Sequence, residues 1–67
     1  MKLHVNGDDI TVPETVHTVE GLIRHLGLKR NLLIVETNGH ILQAEEHAVA
    51  PVADGDRIEI VHFVGGG

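Results

Sequence analysis

The chain has no cysteine, tryptophan or tyrosine, one phenylalanine, and five basic residues against ten acidic ones. Each shortage removes a class of chemistry. With no thiol there is no disulfide, and no ligand spacing typical of a structural metal is present, so apolar packing alone must hold 67 residues together. Nor can sulfur or an acyl group ride on a side-chain thiol; such cargo would have to sit on the chain terminus. A net charge of −5, with Phe63 as the sole aromatic, opposes nucleic-acid binding, which needs clustered cations or a stacking platform. No apolar run reaches the roughly 18 residues of a membrane span and the N-terminus has no signal-peptide pattern, so we expect a cytoplasmic protein with no membrane attachment. The acidic balance suits a partner with a basic docking surface.

What remains is enough for one small domain. At this length about 60% of the unfolded surface is buried on folding, and a hydrophobic content of 42% makes such a core feasible. Lys2 to Asn6 alternates polar and apolar residues, the period of a half-buried strand with Leu3 and Val5 inward. Asn6-Gly7 then predicts a type I′ hairpin turn and Ile10-Thr11-Val12 the return strand, ended by Pro13. Thr18 is a good N-cap, and Val19, Leu22, Ile23 and Leu26 form a helical stripe, so a helix is expected over Val19 to Leu26. Gly27 can close it in the left-handed conformation, with Leu28 packing back on Ile23. Gly21, inside the helix, reads as a site of close helix-to-sheet approach. Leu32 to Thr37 is a strand entering a second hairpin at Asn38-Gly39, and His40-Ile41-Leu42 is its return. A single helical turn around Ala44 to Glu46 and turns at Pro51 and Asp54-Gly55-Asp56 precede the longest strand-like run, Arg57 to Phe63. The order implies an α+β arrangement, a sheet with one helix on one face.

Parity along the strands separates two surfaces. If Ile58 and Ile60 face the helix, Val61 and Phe63 share the opposite side with Glu59; likewise Leu33 and Val35 face inward and Ile34 outward with Glu36. Ile34, Val61 and Phe63, extended by Val64, are therefore candidate partner-binding residues on an uncovered face. The alternative is a twist or bulge that turns Phe63 into the core.

The strand runs straight into Gly65-Gly66-Gly67. Glycines have nothing to pack and lose the most entropy on ordering, so residues 65–67 are expected to form a flexible tail on a domain spanning residues 1–64. Its thread of residues without Cβ atoms is slim enough to enter a narrow channel, with Gly66 and Gly65 threading and the Gly67 carboxylate as candidate reactive group. The plainer alternative is an idle, frayed terminus. Other chemistry is poorly represented. Six histidines, His4, His17, His25, His40, His47 and His62, include no His-x-x-x-His pair and read as surface residues rather than metal ligands. Asp8-Asp9 and Glu45-Glu46 are adjacent acids, not facing ones, and no nucleophile elbow or phosphate-cradling loop is present. We therefore expect no catalytic residue and no enzyme activity of the chain alone.

The strand hairpin, the helix opening Thr18-Val19 and continuing Leu22-Ile23, the Asp54-Gly55-Asp56 turn, the Ile58-Glu59-Ile60-Val61 strand and the Gly66-Gly67 end together resemble one family. It is the ThiS family of thiamine-biosynthesis sulfur carriers, ubiquitin-like β-grasp proteins related to the molybdopterin-synthase small subunit. The likeness covers the whole chain. It implies a mixed sheet of four to five strands with one main helix on one face. It also implies a chemistry: a ThiF-like adenylyltransferase uses ATP and Mg²⁺ to adenylate the Gly67 carboxylate. A persulfide from a cysteine desulfurase route then supplies sulfur, and the thiocarboxylate delivers it to a ThiG-like thiazole synthase. The carrier itself binds no cofactor. The family's end is Gly-Gly, so Gly65 is an addition that lends reach. The same fold and tail imply other classes as well: a molybdopterin-synthase small subunit or another sulfur carrier, a ubiquitin-like modifier of lysines, or an interaction domain with an idle tail.

Overall fold

The structure, a computed structural model, describes residues 1–28 and 33–62. Phe63, Val64 and the expected tail at 65–67 lie outside the described residues, as does Leu32, the expected first residue of the third strand. Among the described residues are five strands, β1 (Lys2–Val5), β2 (Asp8–Thr11), β3 (Leu33–Thr37), β4 (His40–Ile41) and β5 (Arg57–His62), one α-helix, α1 (Val19–His25), and a 3₁₀ turn at Ala44–Glu46. The sheet order is β2-β1-β5-β3-β4. β1 and β5 are parallel and the other neighbours antiparallel, giving the mixed sheet expected.

Both hairpins turn at Asn-Gly, as the dipeptides predict. Asn6 and Gly7 have φ of 51° and 85°, Asn38 and Gly39 of 49° and 86°, the positive values a type I′ turn demands at both central positions. The two-residue loop sets Val5 opposite Asp8, so β2 begins two residues before the expected Ile10 and ends at Thr11. In α1, the Thr18 hydroxyl accepts the Gly21 N–H at 3.1 Å. The helix ends one residue earlier than the stripe suggests. Leu26 is the C-cap, Gly27 takes φ 73°, and the Leu28 N–H reaches the Ile23 carbonyl while Gly27 N–H reaches that of Arg24. That is the Schellman closure.

The helix covers one sheet face. Leu3 and Val5 of β1, Leu33 and Val35 of β3 and Ile58 and Ile60 of β5 meet Val19, Leu22 and Ile23 of α1 in a single buried cluster. Val12, Val16, Leu42 and Val52, from the connections, complete it. The segment after the 3₁₀ turn closes the helix start: the carbonyls of Ala50 and His47 accept the Val19 and Glu20 N–H groups at 2.9 and 2.8 Å. This places His47 inside, only 3% exposed, contrary to the surface role expected of all six histidines. Gly21 also differs from expectation. A Cβ built there would meet only Thr18 Oγ1 at 3.5 Å and Val16 Cγ1 at 3.9 Å, ordinary contacts that involve no sheet residue.

The strand β5 is held by two asparagine amides. β1 ends at Val5, so the inward edge of Ile60 would be left unpaired; Asn6 supplies the missing rung, its Oδ1 accepting the Ile60 N–H at 2.7 Å and its Nδ2 donating to the Ile60 carbonyl at 3.0 Å. On the other flank Asn38 Oδ1 accepts the Arg57 N–H at 3.0 Å, and the Asn38 N–H donates to the Arg57 carbonyl at 2.8 Å. Replacing Asn6 with Gly keeps the turn conformation but removes both bonds to Ile60, and is expected to cost about 1–2 kcal/mol by denaturant titration. Gly21→Ala is expected to act oppositely, raising stability by up to about 1 kcal/mol because the helix gains propensity and nothing must move.

Candidate functional site

β5 is the central strand and the one that leads to the chain end, so what it presents outward is the natural start of a site. Because the side chains of paired residues share a face, the register draws the outer surface as three rows. Nearest the end of β5, Ile34 stands opposite Val61. In the next row Ile41 of β4, Glu36 of β3 and Glu59 of β5 lie side by side. In the third, Arg57 of β5 neighbours His4 of β1, which neighbours Asp9 of β2, and a hydrogen bond joins His4 Nδ1 to the Asp9 carboxylate.

The apolar members are open to solvent: Ile34 is 41% exposed, Val61 55% and Ile41 61%. Parity places Ile34 and Val61 there, and the register makes them direct cross-strand partners. Ile41 was not singled out, because a two-residue strand is too short to show a period. Phe63, Val64, Gly65, Gly66 and Gly67 lie outside the described residues. The polar rows form a shallow groove walled by His4, Glu36, Arg57 and Glu59 and rimmed by the turns at Gly39 and Gly55. Ion pairs among the described residues join the Met1 ammonium to Glu14 and His4 to Asp9; Glu36, Glu59 and Arg57 make none.

Among the described residues no three metal-ligating side chains converge. Five histidines are wholly or partly exposed and dispersed; His47 is buried, and its Nε2 has no hydrogen-bond partner among the described residues. Among the described residues no helix is long and apolar enough to cross a membrane. The surface suits docking, with an apolar strip beside a charged groove, on a strand paired along both edges.

The sequence profile described as the ThiS family matches residues 3–67. The chain belongs to the ThiS family. It is 38% identical over 65 residues to the sulfur carrier protein ThiS of Bacillus subtilis (strain 168), covering 97% of this chain and 98% of that one. A crystal structure of the thiamine biosynthesis protein ThiS from Geobacter metallireducens superposes with a TM-score of 0.84 at 36% identity, each chain covered completely. The β-grasp architecture of that family is thus the fold seen here. The chain is also 40% identical over its whole length to part of a thiazole synthase of Paramagnetospirillum magneticum (strain ATCC 700264 / AMB-1), of which it spans 20%. A segment like this ThiS-family chain therefore occurs within that longer polypeptide.

The two faces of β5 should respond differently to substitution. Val61→Ser and Ile34→Ser, on the outer face, are expected to change stability by about 0.5 kcal/mol or less each. Ile58→Ala, on the inner face, should cost about 2–5 kcal/mol. Equilibrium unfolding of the three variants checks the assignment of faces.

Proposed function

We propose that this chain is the sulfur carrier of thiamine thiazole synthesis and that Gly67 is the residue that carries the cargo. The observation that supports this most is the end-to-end likeness to a sulfur carrier, over 97% of this chain and 98% of the relative. A carboxylate is a poor electrophile, because its negative charge repels nucleophiles and oxide is a poor leaving group. Adenylation by a partner adenylyltransferase, with ATP and Mg²⁺, replaces that leaving group with AMP and releases pyrophosphate. A persulfide sulfur, from a donor such as a cysteine desulfurase, then displaces AMP. Thiol cleavage of the resulting S–S bond supplies two electrons and frees the thiocarboxylate. The sulfur passes from there to thiazole synthase.

The chain's own part in this is presentation. Gly65 and Gly66 bear no side chain to obstruct a narrow active site, and Gly67 leaves its carbonyl open to each attacking group. The Ile34–Val61 face, with Phe63 and Val64 as further contact residues, is where partner enzymes would dock. The chain is acted on and performs no catalysis itself, and all the steps belong to the cytoplasm. With no cysteine anywhere, the chain has no side-chain thiol on which sulfur could ride instead.

Incubation with the adenylyltransferase, ATP, Mg²⁺ and a sulfur source is expected to raise the intact mass by the difference between one sulfur and one oxygen, with the change mapping to Gly67. An alanine appended after Gly67 should abolish the gain, since catalysis depends steeply on the placement of the reacting group. Ladders of lysine-linked adducts without the mass gain would instead make the chain a protein modifier.

A further inference from the structure

The outer sheet face carries a feature that docking through apolar contacts alone does not require. Glu36 and Glu59 stand directly opposite one another on adjacent strands. Like charges in that relation repel and destabilise a sheet. Among the described residues relief is incomplete: Arg57, one row away, makes no ion pair, and His4 is engaged with Asp9. On the side away from Arg57 and His4 the carboxylates are bordered by apolar groups, with Ile41 beside Glu36 in the same row and Ile34 and Val61 in the next. All three are exposed.

Any occupant of the apolar strip must cover these carboxylates. An uncharged surface would strip them of water and return nothing, a penalty that discriminates against it. A cation seated between them would be bonded from both sides, and a guanidinium fits best, because its planar fork can reach two carboxylates at once.

We propose that the Glu36–Glu59 pair, framed by Ile34, Ile41 and Val61, is the recognition element for a thiazole synthase surface that presents an arginine flanked by apolar side chains. The choice of occupant follows from charge complementarity together with the occurrence of a like segment within a thiazole synthase polypeptide. This rests on the carrier function proposed above and adds to it the chemistry of the docking contact.

The test is calorimetric titration of the full chain with thiazole synthase at low and high salt. Glu36→Gln/Glu59→Gln is expected to weaken binding about tenfold or more and to flatten its salt dependence. Its melting temperature should not fall, because a repulsion has been removed. A control with the same charge change elsewhere, Asp8→Asn/Glu45→Gln, should bind within about twofold of the parent, since exposed charges off the interface act only through screened, long-range attraction. The proposal is overturned if the Glu36/Glu59 variant binds like the parent, or if the control weakens binding equally. It is also overturned if the parent acquires its terminal sulfur and does not bind thiazole synthase. These results leave the mass gain at Gly67 unaffected, so the docking contact and the carrier function fail separately.

Discussion

The structure depends on the pairing of β5 along both of its edges. Among the described residues it is the last strand in sequence and the middle one in space, so the sheet joins elements far apart in the chain. β1 gives it a short parallel ladder and β3 a longer antiparallel one, with Leu33 to Thr37 paired against His62 to Ile58. Where the ladders fail, side chains replace them. The Asn6 amide serves Ile60 and the Asn38 amide serves Arg57, each mimicking the peptide group of a strand that has turned away. The same two residues supply the left-handed conformations of the hairpin turns. One residue type thereby sets both the turn and the rung beyond it, because asparagine combines tolerance of positive φ with a donor and an acceptor on a short stem.

A five-stranded sheet with one covering helix has two unlike faces. The inner one carries Leu3, Val35, Ile58 and their neighbours, all nearly inaccessible, and supplies the cohesion that a chain without disulfides needs. The outer one has no layer of this chain's described residues upon it, and Ile34, Ile41 and Val61 remain exposed there. The packing that buries the inner side chains of β5 is therefore separate from the surface β5 exposes. That separation lets a residue on the docking face change with little effect on the fold.

For a carrier whose reactive group is a terminal carboxylate, such a division is economical. The domain has an exposed outer face that its core packing leaves free. The outer rows, where exposed apolar side chains and opposed carboxylates lie within a few residues of one another, are the surface on which the docking proposed above depends.

The elements of the fold were legible because each had a local cause. Asn6-Gly7 and Asn38-Gly39 demand tight hairpins, Thr18 and Gly27 bracket a helix whose stripe is clean, and the period of two in Ile58-Glu59-Ile60-Val61 separates inward from outward residues. From the same alternation Ile34 and Val61 could be assigned to one surface before their pairing was known. Tertiary structure decided what depends on residues distant in the chain. The burial of His47 follows from its carbonyl capping a helix 27 residues upstream, the freedom around Gly21 from how the helix lies over the sheet, and the second role of Asn6 from a strand 54 residues away. The facing of Glu36 and Glu59 is of the same kind. Periodicity places each carboxylate on the outer face, but only the register of β3 against β5 makes them opposite, and register is set by hydrogen bonds and core packing that no local pattern contains.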